Sequence, residues 1–224
     1  MSNTAGFADD LIKCWLKTRL GLFISDEKLD LLLKFKNIVL EKNKELNLTA
    51  ITDDFEFCVK HIIDSLTLLP HIPPSSEVVD VGTGAGFPGV VLKIMRDDIK
   101  LCLIDSTKKK IDFLHDALKR LNMADIDLIH TRSEQWAKSN AKRYDICTAR
   151  AVAELPKLVG YTLPLLKKGG CLLAMKGPGV QSEIQKAKPA IQKHGGVIED
   201  VFTYMLPEGL TRNIVVIRAG VLRS

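Results

Sequence analysis

The segment Asp80-Val-Gly-Thr-Gly-Ala-Gly86 constrains this chain more than any other feature. It follows the apolar run Val78-Val-Asp-Val81 and precedes a stretch, Phe87 to Met95, patterned as a helix. Glycine at such a strand-to-helix turn lets backbone approach a ligand with no Cβ in the way. In open α/β sheets, ligands sit beyond the carboxyl ends of the strands. Nicotinamide-binding loops space their glycines as Gly-x-Gly-x-x-Gly. Here they fall at 82, 84 and 86, and Phe87 holds the place of the third glycine.

The rest of the chain repeats strand, turn and helix. Strands are expected at 101–105, 127–130, 144–148, 170–175, 197–204 and 212–218. Helices are expected at 108–121, around 155–166 and around 181–193. Such alternation argues for a mostly parallel sheet covered on both faces. Only Leu206-Pro-Glu-Gly-Leu210 joins the last two strands, too short for a crossover, so they pair as an antiparallel hairpin. Before Pro70, Pro73 and Pro74 the apolar period is helical. Leu29, Leu32, Leu33, the stem of Lys36 and Val39 or Leu40 share a face behind a Ser25 cap. A second helix after Asp53 and Asp54 buries Val59, Ile62, Ile63, Leu66 and Leu69. Residues 1–74 are therefore expected to form a helical extension packed on an α/β domain over 75–224.

The net charge is +5. Residues 1–75 hold nine Lys/Arg against eleven Asp/Glu, so the basic excess lies in the α/β part, where a polyanionic partner or a solvated surface would account for it. No apolar run is long enough to cross a bilayer and the N-terminus lacks a signal pattern, so a cytoplasmic protein without a membrane is expected. Cys14, Cys58, Cys102, Cys147 and Cys171 are spaced too widely for a zinc set; they read as reduced, buried thiols, with no metal. A monomer is expected.

Asp105 ends the second strand, 23 residues after Gly82, where a carboxylate suits ribose hydroxyls. It also suits a helix start, and both roles can coexist. The glycine spacing resembles the loop that holds S-adenosylmethionine in Rossmann-like methyltransferases.

The whole chain resembles the RsmG family, also called glucose-inhibited division protein B. The resemblance rests on Asn47-Leu-Thr-Ala-Ile-Thr52, His61-Ile-Ile-Asp-Ser-Leu66, Asp80 to Gly89, Thr148-Ala-Arg-Ala151 and Ala174-Met-Lys-Gly177. One departure is Lys42-Asn43, where the family often has Trp-Asn. The resemblance implies a class I methyltransferase fold: a mostly parallel seven-stranded sheet with a C-terminal antiparallel hairpin and a helical extension in front. It implies S-adenosylmethionine as cofactor and N7 of a guanine in 16S ribosomal RNA of the small subunit as acceptor. Gly82, Gly84, Phe87 and Asp105 are then expected at the cofactor, with Ser133 (by its backbone) and Glu134 at the adenine end. Arg150 joins them after the fourth strand.

A guanidinium at that strand end needs an anion, whether the cofactor carboxylate, an RNA phosphate or a structural ion pair. Neither the Asn/Asp-Pro-Pro-Tyr/Phe motif for exocyclic amines nor a Pro-Cys nucleophile occurs. Guanine N7 carries a lone pair and no proton, so its methylation needs no general base and draws on proximity instead. Asn47, His61, Lys176 and Arg212 are candidate RNA contacts; for His61 a bond to Asp64 or backbone is the alternative. Lys108-Lys-Lys110 reads as a solvated helix start. A same-fold methyltransferase acting on a small molecule or protein is the main alternative. A nicotinamide oxidoreductase is disfavoured by Phe87, and a non-catalytic RNA-binding protein by an intact Gly82, Asp105 and Arg150.

Overall fold

Helices α1 (Thr4–Trp15), α2 (Asp26–Leu46), α3 (Asp54–Phe57) and α4 (Asp64–Leu66) precede the first strand in the computed structural model, which describes residues 4–220. Ser25 caps α2 by accepting from Lys28 N, and the buried face runs through Leu29, Leu32, Lys36, Val39 and Asn43. That is the three-and-four spacing of one helix side. Phe35 and Ile38 join it, while Leu33 is only half-buried. The Lys36 stem is buried as expected, and its ammonium reaches Asp54 at 3.0 Å. Asp53 caps α3 through Glu56 N. A π-helical stretch, Cys58–Ile63, joins α3 to α4 and carries His61.

Seven strands follow: β1 (Glu77–Val81), β2 (Lys100–Asp105), β3 (Ile126–His130), β4 (Tyr144–Arg150), β5 (Leu166–Lys176), β6 (Gly196–Met205) and β7 (Thr211–Ala219). They lie in the order β3-β2-β1-β4-β5-β7-β6. The first five are parallel and β7 is antiparallel to both neighbours, as the short connection requires. The connecting helices are α5 (Gly89–Met95), α6 (Lys108–Arg120), α7 (Ser133–Asn140), α8 (Leu155–Thr162) and α9 (Val180–Lys193).

Three details differ from the sequence expectation. Phe87 and Pro88 belong to the turn, and the helix starts at Gly89. The polar segment 133–140 is a helix, α7, whose sequence offers only Ser133 to its fully buried side. And α8 stops at Thr162, because Pro164 lacks the N–H a continuing helix needs, so β5 begins at Leu166.

The helical extension and one sheet face share a single core. Ile12, Leu32, Phe35, Phe57 and Ile62 pack in one cluster with Val78, Leu101, Leu103 and Leu114. Burying a Leu or Ile side chain is worth about 1.5–3 kcal/mol, so the extension is held mainly by this face. Polar pins add to it. Arg96 donates to Ile72 O at 3.0 Å and Pro73 O at 3.2 Å, and Lys28 reaches Met95 O at 2.9 Å. On the other face α8 and α9 cover Val79, Cys147, Leu172 and Val215. Four of the cysteines are buried and free, but Cys14 is exposed, contrary to its expected burial. Its segment packs through Ile12, Trp15 and Leu16, which leaves position 14 facing outward. Among the described residues, no helix is long and apolar enough to cross a membrane.

Candidate active site

The strand order reverses between β1 and β4, and the loops after these strands meet there. Gly82 has φ +69°, and a Cβ on it would lie 2.6 Å from Val152 Cγ2 of the β4–α8 loop. Only glycine tolerates both conditions. Gly86, at φ +99°, meets Phe35 of α2 in the same way, at 2.9 Å.

Below this loop Asp80 is fully buried. It accepts from Thr148 Oγ1 at 2.8 Å and from Gly89 N at 3.1 Å, tying β1 to β4 and to the first turn of α5. Burial pushes its carboxyl above the usual range, opposed by those hydrogen bonds. Asp105 is buried too. Its two oxygens accept from Gly84 N at 3.0 Å and Thr107 N at 2.8 Å, so one carboxylate shapes both the glycine loop and the start of α6. Thr107 holds the N-cap position without a side-chain cap of its own, so the helix starts just after the Asp105 position considered from the sequence.

Two cavities open at the carboxyl ends of the strands. The first, about 210 Å³, is lined by Gly82, Asp105, Ser133, Glu134, Val152 and Tyr161, among others. Ser133 is buried and its hydroxyl is directed at the Glu134 carboxylate, 3.3 Å away. The second, about 460 Å³, lies over β4, β5 and β7. It is lined by Ile51, Lys60, His61 and Asp64 from the extension and by Arg150, Ala151, Met175, Lys176, Gly177 and Arg212 from the sheet. Ala151 lines one cavity and Val152 the other, so the β4–α8 loop is the wall between them. Ala151 has φ +55°, a conformation disfavoured for a residue with a Cβ and often found at functional sites.

The second cavity is organised by charge. Arg150 donates to Asp64 Oδ2 at 3.2 Å, to Lys60 O at 2.8 Å and to His61 Nδ1 at 2.8 Å. Tyr204 donates to Asp64 Oδ1 at 3.2 Å, and Arg212 Nε lies 3.9 Å from the same oxygen. Burial outweighs these cations and holds the Asp64 carboxyl above its usual range. A guanidinium cannot accept, so His61 Nδ1 must carry the lone pair and Nε2 the proton, which goes to Thr49 Oγ1 at 2.8 Å. Burial, then the neighbouring Arg150, push His61 down to about 3; the ring is neutral at physiological pH. It stacks on Phe87 with centroids 4.8 Å apart, and the Arg150 guanidinium lies 5.4 Å from the Phe87 ring.

This geometry regroups the residues expected from the sequence. Gly82, Asp105, Ser133 and Glu134 line the first cavity, with Gly84 held just beneath through Asp105. Phe87 and Arg150, grouped with the cofactor on the sequence, lie beside His61, and Arg150 reaches across to Asp64. Of the anions considered for it, the structure supplies Asp64, within the chain. His61 bonds Thr49 and Arg150, not Asp64. Lys176 and Arg212 line the second cavity, but Lys176 Nζ is bound to Ala153 O and Glu183, each at 2.7 Å. Asn47 is exposed, caps α2 with φ +49° and is not among the cavity-lining residues. Sequence reasoning missed Tyr204 and Glu183, which carry no local signal, and Thr49, which sits inside the Asn-Leu-Thr motif.

Residues 28–215 match the family described as rRNA small subunit methyltransferase G, GidB. The chain belongs to the GidB family. It is 42% identical over 202 residues to the ribosomal RNA small subunit methyltransferase G of Acetivibrio thermocellus, covering 88% of this chain and 83% of that protein. The protein of that name from Pelotomaculum thermopropionicum is also 42% identical, over 89% of this chain and 85% of its own length. In fold, the GidB chain is similar to an O-methyltransferase from Bacillus cereus solved in complex with SAH. The TM-score is 0.61 at 13% identity, covering 92% of this chain and 96% of that one. The fold is that of the class I methyltransferases. The GidB departure at Lys42 is on the surface, where Lys42 pairs with Glu45. Its neighbour Asn43 is the buried member: it accepts from Thr49 N at 2.8 Å and donates to Thr49 O at 2.9 Å, fixing the Asn-Leu-Thr segment against α2.

Proposed function

We propose that this ribosomal RNA methyltransferase transfers a methyl group from S-adenosylmethionine to N7 of a guanine in 16S RNA of the small subunit, without a general base. The first cavity is the donor site and the second the acceptor site. The glycine cradle at Gly82, the Asp105 carboxylate and the Ser133–Glu134 edge suit the methionine, ribose and adenine parts in turn. S-adenosylmethionine supplies a sulfonium-bound methyl that a nitrogen lone pair can take directly as the carbon–sulfur bond breaks.

The observation that carries the reading is the acceptor cavity's lack of an idle base among the described residues. His61 has its lone pair on Arg150 and its proton on Thr49, and Asp64 is engaged by Arg150 and Tyr204. An acceptor nitrogen that must lose a proton would have to disturb this network to pass it on, whereas N7 has none to lose. Orientation between two fixed cavities can supply roughly 7–11 kcal/mol of the barrier. Lys60, Arg150 and Arg212 give the acceptor cavity a cationic rim that suits a phosphate backbone. The reading goes with a monomer that acts on the small subunit in the cytoplasm.

The test is methyl transfer from labelled S-adenosylmethionine to small subunits from cells lacking this protein, with the nucleoside identified by mass spectrometry. 7-Methylguanosine is expected. A methylated exocyclic amine would refute the base-free mechanism. Absence of transfer to RNA despite cofactor binding would move the acceptor to a small molecule or protein.

A further inference from the structure

The wall between the two cavities is held from behind. Its loop, residues 151–154, has a left-handed residue at Ala151 and packs Val152 against the glycine cradle. Its next carbonyl, Ala153 O, accepts from Lys176 Nζ at 2.7 Å. The same ammonium is paired with Glu183 Oε1 at 2.7 Å, and that oxygen also accepts from Leu155 N, the first N–H of α8. Glu154 makes no side-chain cap, and Pro156 has no N–H to offer. Glu183, reaching over from α9, thus serves as the missing cap, its one oxygen accepting from both donors. The pair is largely shielded, with side-chain exposures of 13% for Lys176 and 22% for Glu183.

We propose that Glu183 is a positioning residue for methyl transfer: with Lys176 it latches the Ala151–Glu154 loop, setting the spacing of donor and acceptor. This rests on the assignment of the two cavities given above. Glu183 is absent from both linings, so its effect passes through the loop and through Lys176, which itself lines the second cavity. The latch also gives Lys176 a role distinct from RNA binding. Misplacement of reacting groups by about 1 Å can cost on the order of a hundredfold in rate.

Three variants of the full chain test this: Glu183→Ala, Glu183→Asp and Glu183→Gln. The measurements are S-adenosylhomocysteine titration by calorimetry, kcat and KM on small subunits, and the melting temperature. Glu183→Ala is expected to weaken S-adenosylhomocysteine about tenfold and to lower kcat at least tenfold. Glu183→Asp keeps the charge but is too short to hold both Leu155 N and Lys176, so it shares the loss. Glu183→Gln keeps an oxygen for both donors and is expected to return both quantities to within about threefold of the parent. A melting temperature that falls while Kd, KM and kcat stay unchanged would overturn the latch and leave a plain stabilising pair. So would a Glu183→Gln variant as impaired as Glu183→Asp, and that comparison decides the matter even where Glu183→Ala does not fold. A parent enzyme whose product is not 7-methylguanosine would sink the functional reading yet leave this three-way comparison intact.

Discussion

The cavities proposed for donor and acceptor lie on either side of one loop and are built by opposite means. The donor cavity is shaped by backbone: Gly82 at positive φ, Gly84 N bound to Asp105, and a strand end on each side. Its glycine cradle is specified locally, within a strand, a turn and the end of the next strand, while Ser133, Glu134, Val152 and Tyr161 come from further along the chain. The acceptor cavity is shaped by side chains drawn from residues 51 to 212, with an ion-pair network at its floor. Steric requirement defines the first and electrostatic satisfaction the second. Substitutions should therefore separate them by the type of defect produced.

The largest effect is expected at Gly82. Gly82→Val places atoms into Val152 at a backbone angle valine avoids, so cofactor binding should be lost while the sheet persists; a folded variant with normal titration would break the contrast. Next comes Asp64→Ala, which leaves Arg150 without its charge partner. Breaking a buried pair from one side costs about 3–5 kcal/mol, so denaturant unfolding should show a loss of that size. Asp105→Asn keeps one of two acceptor oxygens. Losing one charge-assisted hydrogen bond costs about 1.5–3 kcal/mol, so denaturant unfolding should show a loss of that size, and calorimetry a weakened cofactor affinity as the Gly84 turn loosens.

The smallest effect is one of pH. His61 titrates near 3 in the folded chain, below its ordinary value. On acidification the unfolded chain takes up this proton first, so the contribution is intact above roughly pH 6.5 and is lost as pH falls toward 3. Asp64 and Asp80 are shifted upward and act in the opposite sense. The informative quantity is therefore the difference between parent and His61→Asn. The parent's advantage should shrink by about 1–2 kcal/mol from pH 7 to pH 5 in chemical denaturation. A difference independent of pH would mean that His61 is not held neutral by its surroundings.

The same contrast explains what the sequence revealed. The glycine loop, the Asp105 spacing and the hairpin at 206–210 are short-range patterns, and each was legible. The partition of the site was not. Arg150 reads as a cofactor residue because it ends a strand beside the cradle, yet its partner, Asp64, lies 86 positions earlier. Tyr204 reaches that carboxylate from 140 positions away, and an alternating strand pattern says only that one face is covered. Lys176 looked free for RNA because its neighbours in sequence are apolar or small; its counter-charge sits one helix later, in a stretch rich in Lys and Gln. Helix α7 was missed for a related reason: among its eight residues only Ser133 is fully buried, so the period was too faint to see.

The last strand, β7, is threaded between β5 and β6, and this sets an order of assembly during synthesis. Every lining residue of the donor cavity has been added once translation passes Tyr161, whereas the acceptor cavity waits for Arg212. At about 5–20 residues per second, roughly 3–10 s separate the two. A growing chain therefore has every residue of the proposed donor site before those of the proposed acceptor site, and β5 lacks its outer hydrogen-bonding neighbour until β7 arrives. Premature termination near the C-terminus would thus abolish acceptor binding and leave an unpaired strand edge open to other chains.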